Sequence, residues 1–375
     1  MTDLIIPIIF MLVVVTGEAL ILQVIRKEPV NWRDVIFNLN SGHIMLWLFR
    51  GLEIFCYGMV AAHFSLNGLS HWPAPLVWLF ALLAWDFGFY WLHRLHHRLG
   101  ALWAVHVVHH QGEHFNLSLG VRNSWYSSLT SIPFFMLLAI VGVPLSVFIS
   151  VSLLHYTLQL FNHNALTPKL GFLEKIFVTP SHHRIHHVND RFYSDKNFGG
   201  SFIFWDKWFG TFCPALPEGD FSYGAGKERH SENPFWASNQ PFFRYLKWPF
   251  RAKQKTAQFH CSVASLFIGA MLLFSLVIGY VYRFGYGYDT MALPQISLFL
   301  LLAAGTLALG GISEGRRWGV VLWLAITLSL PFIFIALLHW RDSFWLLMMP
   351  LAALHAVTLA LGLGRSQLSQ IANHE

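Results

Sequence analysis

Nine apolar runs constrain this chain more than any other feature. They lie near residues 4–24, 44–66, 75–92, 125–142, 144–162, 260–282, 292–310, 319–339 and 343–362. A helix crossing the hydrocarbon core needs about 20 mostly apolar residues, so the runs predict an all-α, polytopic membrane bundle. The fourth and fifth runs are short and fit a re-entrant hairpin as well as two crossings. The composition agrees with burial in lipid: 55% of the 375 residues are hydrophobic and 12% charged, where a soluble domain carries roughly a quarter charged residues.

Only Met1, Thr2 and Asp3 precede the first run, and Arg26 and Lys27 follow it. That pattern predicts a retained span with its N-terminus outside, not a cleaved signal peptide. Nine crossings from that start place most basic residues on one side: Arg26, Lys27 and Arg33, then Arg94, Arg98 and Arg122, everything basic from Lys169 to Lys255, Arg316, Arg317 and Arg365. Arg283 and Arg341 fall outside, and Arg50 lies within the second run. A positive-inside bias therefore accounts for the net charge of +6 and predicts a cytoplasmic face at those loops. No basic helix or nucleic-acid motif accompanies the charge, which excludes nucleic acid as a partner. Cys56, Cys213 and Cys261 are far apart and form no C-x-x-C pair, so neither a disulfide framework nor a cysteine metal site is expected.

The one long polar stretch, about 163–258, carries thirteen Lys or Arg residues and reads as a cytoplasmic helical cap over the bundle. Three regions are expected: N-terminal membrane helices over 1–74, a catalytic region over 75–258 and a C-terminal membrane block over 259–375.

Within the middle region the histidines are organised. His93/His96/His97, His106/His109/His110 and His183/His186/His187 share the spacing H-x-x-H-H. On a helix, positions i, i+3 and i+4 fall within an arc of about 100°, so each cluster points its rings one way. Thr179-Pro180 offers an N-cap and first helical residue for the third cluster, leaving His182 off its face. Gly100 loosens the chain between the first two clusters. Thirteen histidines between 93 and 187 are too many to bury as bystanders, at roughly 1 to 3 kcal/mol for each unmet ring nitrogen. His43, His63, His71, His260, His339 and His355 stand alone and read as structural residues.

Neutral imidazole suits zinc, copper and iron alike. H-E-x-x-H, which would point to a catalytic zinc, is absent, as is the E-x-x-H of carboxylate-bridged di-iron bundles. Eight or more histidines suit two metals held mainly by nitrogen. Asp86, near the end of an apolar run and one heptad before His93, is costly to bury and is expected to orient a ligand by accepting a ring N–H. Glu113 and Asn116, with Asp190, Asp195 and Asn197, flank the clusters as weaker supporting candidates. The run FIFWDKWFGTF over 202–212 suits either an interfacial anchor, with Trp205 and Trp208 at headgroup level, or the core of the cap.

The three ordered clusters, with SHHRIHH followed by KNFGGSFIFWDKWFGTF, resemble the fatty acid hydroxylase and sterol desaturase superfamily of membrane di-iron enzymes, over about residues 75–215. Within it, WDFGFYWLHR, HVVHHQGEHFNLS and the extra C-terminal apolar block look most like the alkylglycerol monooxygenase branch. Matched position by position, the resemblance implies nine metal ligands: His93, His97, His106, His109, His110, His163, His183, His186 and His187. One departure is Gln159, where the superfamily often has a further histidine four residues before His163; His155 is a spare about two turns away. Gln159, His96 and His182 are accessory candidates near the metals.

The resemblance further implies two iron ions, dioxygen, a membrane lipid substrate and a separate reductant, either a tetrahydropterin or an electron-transfer protein. It implies attack on a C–H bond of a lipid alkyl chain, with cleavage of alkylglycerol ethers in one branch and sterol desaturation or fatty acid hydroxylation in others. A membrane metal transporter or haem protein is the reading of another class. Clusters at helix ends argue against conduction, and tandem H-x-x-H-H crowds a porphyrin.

Overall fold

A computed structural model describes residues 2–216, 220–226, 230–248, 256–285, 292–337 and 339–366. Among these the regular structure is helical, apart from one antiparallel pairing of His260–Cys261 with Arg365–Ser366 and two isolated bridges. It divides into two compact units, one of Val14–Val30 with Phe49–Glu228, the other of Met1–Val13, Asn31–Leu48 and Arg229–Glu375.

The first unit carries the histidine clusters. Helix α1 (Thr2–Leu20) enters it and ends in a π-helical turn, Ile21–Ile25. After α2 (Trp32–Asn40), the chain runs through α3 (His43–Phe64), α4 (Ala74–Arg98), α5 (Gly100–His110), α6 (Leu117–Val121), α7 (Ser127–Val141) and α8 (Leu145–Asn162). A 3-10 turn at Gly171–Lys175 leads to the short helices α9 (Pro180–His186), α10 (Arg191–Ser194) and α11 (Phe204–Trp208). The long helix α4 packs on α7 and α8. Trp85 stacks on Phe135 at 3.7 Å, and Tyr57 on Phe148 at 3.8 Å. Arg50 pairs with the fully buried Glu53 one turn later, and the pair is completed by Ser152 and Ser131, each at 2.6 Å. Two opposite charges inside a span thus neutralise each other while tying α3 to α7 and α8.

Eight helices among the described residues are long and apolar enough to cross a membrane, one fewer than the nine apolar runs. The fourth run forms only the 15 residues of α7, which contains Pro133 and stops at Gly142 in a left-handed conformation, φ 108°. Val143-Pro144 then turns directly into α8, because proline cannot continue a helix but suits the start of the next. The second unit adds α12 (Pro234–Tyr245) and four long helices, α13 (Val263–Phe284), α14 (Leu293–Ser313), α15 (Arg317–Pro331) and α16 (Ser343–Ala360). Its His355 accepts from Trp323 Nε1 at 3.0 Å and lies 3.0 Å from the Ser265 carbonyl, as a structural histidine should.

Candidate metal centre

Contrary to what the arc of about 100° suggests, the H-x-x-H-H spacing does not point all three rings of a cluster one way. On α5, His106 and His110 turn to one group while His109 turns to another; on α9 and its C-cap, His183 and His187 serve the second group while His186 crosses to the first. Positions i and i+4 lie about 40° apart on a helix, and i+3 sits about 60° to the other side, so each helix splits two and one. With His93 and His97 from the last turns of α4, and His163 capping α8, the groups are His93, His97, His106, His110, His186 and His109, His163, His183, His187. The nine residues are those the family resemblance implies. In each group one ring nitrogen per residue lies within 4.8 Å of all the others.

Local folding explains how the rings arrive. Leu99, extended at φ −105° and ψ 119°, ends α4, and Gly100 restarts the chain as α5. Thr179 occupies the N-cap position of α9 with Pro180 first in the helix, although the Thr179 hydroxyl caps nothing.

Four rings are aimed by backbone carbonyls. The Nδ1 of His93, His109, His163 and His186 lie 2.9, 3.0, 2.7 and 2.8 Å from the carbonyl oxygens of Phe198, Arg122, Gln159 and Lys196. A carbonyl only accepts, so each Nδ1 carries the proton and each neutral ring presents a bare Nε2. Yet Nε2 of His163 lies 3.1 Å from Nε2 of His109. Two lone pairs facing each other at that distance form no hydrogen bond; a cation between them resolves the conflict. The Nε2 atoms of His93, His97 and His106 are likewise buried without a partner among the described residues. The donor set therefore fits metal ions, one per group.

The spacing also informs geometry. The Nε2 atoms of His163, His183 and His187 form a triangle with sides of 3.0, 3.1 and 3.2 Å. With metal–nitrogen bonds of about 2.1 Å, ligands at right angles are about 3.0 Å apart and tetrahedral ones about 3.4 Å. The triangle is small enough for one ion to be held by all three nitrogens. Burial drives the rings outside the membrane spans toward neutrality, the form that binds metal: His109 is pushed down to about 4 and His186 to about 3. His106, His110, His163, His183 and His187 are held well below the ordinary histidine range by burial and by one another.

The supporting residues differ from expectation. Asp86, fully buried, does not orient His93, whose Nδ1 proton goes to Phe198. Its carboxylate accepts from the backbone N–H of Ser201 and Phe202 and from Trp205 Nε1, and faces His155 Nδ1 at 3.4 Å. It anchors the loop that carries the Phe198 carbonyl, and so acts on His93 at one remove. Asp206 completes that anchor by accepting from Phe198 N, Gly199 N and Thr211 Oγ1, and burial raises it to about 6. Gly200 sits where a Cβ would come 2.1 Å from His155 Cε1. His155, the spare histidine, thus faces Asp86 and the loop instead of a metal group.

Asn116 caps α6 through Ser118, and Glu113 lies exposed in the turn after α5. Gln159 supplies its carbonyl to His163 and its side-chain amide to Gly200 O, so it supports a ligand without being one. His96 meets Thr130 Oγ1 at 2.9 Å and stacks on His106. His182 lies beside Thr179 and the Phe212 ring. Among the weaker candidates, Asp195 comes within 3.6 Å of His97 Nδ1, Asp190 caps α10, and Asn197 holds the carbonyls of His182 and Cys213. Trp208 is 69% exposed whereas Trp205 turns inward to Asp86, so the 202–212 run divides between the two roles expected of it. Sequence reasoning missed Asp206, the four carbonyls and Glu18, an acid inside the first apolar run that the cost of burying charge in a span would have flagged.

A family model described as fatty acid hydroxylase matches residues 78–211, which include all nine histidines. The chain is 37% identical over 189 residues to alkylglycerol monooxygenase of Homo sapiens, covering 50% of this chain and 42% of the relative. It is 38% identical over 184 residues to alkylglycerol monooxygenase of Danio rerio, covering 48% and 41%. An ornithine lipid hydroxylase of Rhizobium tropici is 31% identical over 148 residues, 38% of this chain and 44% of that protein. The matched segment thus spans less than half the length of these curated relatives. No solved structure matches.

Proposed function

From a chain whose residues 78–211 match the family model described as fatty acid hydroxylase, we propose a membrane-bound, O2-dependent di-iron oxygenase that attacks a C–H bond of a lipid alkyl chain. The observation that carries this reading is the pair of buried histidine groups, in one of which the bare Nε2 atoms of His109 and His163 face each other at 3.1 Å with no proton between them. Two bound irons would supply the reduction of dioxygen and the oxidant for an unactivated C–H bond. His93, His97, His106, His110 and His186 would hold one ion and His109, His163, His183 and His187 the other.

The chain's own work is positional. Backbone carbonyls fix four ring orientations, the Asp86 and Asp206 anchors hold the Phe198 loop, and burial keeps the rings neutral and excludes water. The favoured substrate is an alkylglycerol ether, because relatives named for that activity match over half of this chain. One oxygen atom would enter the C–H bond beside the ether oxygen, and the other would leave as water with two electrons and two protons from the reductant. The resulting hemiacetal would then separate into an aldehyde and a glycerol derivative. The reductant is external, a tetrahydropterin or an electron-transfer protein. Sterol desaturation and hydroxylation of other lipids are the alternatives within the superfamily. We further assign the histidine-bearing loops to the cytoplasmic side, on the distribution of Lys and Arg, and a catalytic region over 75–258 flanked by membrane segments 1–74 and 259–375.

Lipid mass spectrometry of cells with and without the gene, paired with metal analysis of the purified protein, tests the reading. Ether lipids accumulating without the gene, with two irons per chain, are expected. Altered sterols or hydroxylated acyl chains would move the assignment to another branch, and a strong Soret absorption band would replace it with a haem protein.

A further inference from the structure

The first membrane helix reaches the metal centre through one side chain. Glu18, on α1 and 3% exposed, accepts from the backbone N–H of Leu117 with Oε2 and from that of Ala165 with Oε1, the latter at 2.7 Å. Leu117 is the first residue of α6, and Ala165 follows His163 by two residues. Helix α6 lies against the His163 ring with no slack: a Cβ on Gly120 would stand 2.9 Å from His163 Nδ1 and 3.1 Å from its Cγ. His163 is the one proposed ligand that comes from neither α4, α5 nor the α9 cluster, and its Nε2 lies within 3.2 Å of three other ring nitrogens. One carboxylate therefore grips the chain on both sides of the ring that closes the second histidine group.

We propose that Glu18 is a positioning residue for His163, a two-oxygen clamp that sets how closely α6 and the loop after α8 hold that ring. The inference rests on the two-metal reading above. A carboxylate suits the task because it offers acceptors alone, so both N–H groups are met at once. Glutamine offers one acceptor, and its NH2 would face the second N–H, leaving a buried donor unpaired.

The test is metal content and thermal melting of the full-length protein, purified in detergent with and without metal. Wild type is expected to hold two metals per chain. Glu18→Gln is expected to hold one, and its metal-free form to melt somewhat below metal-free wild type because one buried N–H is left unpaired. Gly120→Ala, which presses the same ring from α6, is expected to lose the same metal and covers the case in which Glu18→Gln fails to fold. His163→Ala should also lose one, and combining it with Glu18→Gln should lose no more than either alone. A Glu18→Gln protein that keeps two metals, or a double variant that holds less metal than His163→Ala alone, overturns the clamp while leaving the two-metal reading intact. Wild type with fewer than two metals overturns that reading itself, and the clamp with it.

Discussion

A histidine ring in this protein is defined by what its Nδ1 touches. His109 and His186, one turned to each group, both spend Nδ1 on a carbonyl and keep Nε2 free. Replacing either with alanine is expected to abolish activity and lower bound metal, measured by elemental analysis; full turnover in either variant would remove that residue from the ligand set. His339→Gln, outside both groups, should leave metal content unchanged. The same rings set the acid response of the metal-free protein. An unfolded histidine titrates near 6.5, whereas burial depresses His109 to about 4 and His186 to about 3. Below 6.5 the unfolded chain takes up protons that the folded chain refuses, so stability present above 6.5 is lost progressively as pH falls toward 3. Melting temperatures between pH 7.5 and about 4 should fall along that course; a flat profile would contradict buried neutral rings.

At the scale of elements, the spacing of the clusters was legible because the i, i+3, i+4 pattern acts within one helix. The two-and-one split of α5 and α9 follows from the same angles, though which ring goes to which group depends on where neighbouring helices stand. Asp86 shows where sequence reading stops. Its position near His93 on α4 suggested a local partner, but its acceptors serve residues 115 to 119 positions away. Spacing along one helix carries no information about a loop that returns from so far downstream. The partners of Glu18, 99 and 147 residues distant, were hidden for the same reason, although its place inside an apolar run marks the residue itself. Gly200→Ala tests the loop anchor: its Cβ would meet His155, Phe89 and Asp86 at under 3 Å. A destabilisation of about 1–3 kcal/mol is expected from such overpacking, read by denaturant melts, together with weaker metal binding through the displaced Phe198 carbonyl.

For the whole molecule, hydropathy located the spans, and the count was off by one because Pro133 and the Gly142 turn shorten α7. The side assigned to His93–His110 is set by the spans before α5 and does not depend on whether α7 crosses. Cysteine-labelling of intact cells checks that orientation. A cysteine at exposed Glu113 should react only after the cytoplasm is opened, whereas one at exposed His71, in the loop before α4, should react from outside. The reverse pattern would invert the assignment.

All nine rings offered to the proposed ions are uncharged donors, and the nearest carboxylate to any of their Nδ1 atoms described above, Asp195, stands 3.6 Å away at a ring edge. A pair of dications would then sit in a low-dielectric interior with its positive charge barely compensated by the protein. Small anions such as azide should consequently raise the melting temperature of the metal-loaded protein and leave the metal-free form unaffected. The same imbalance would favour the lower oxidation state of the ions at rest.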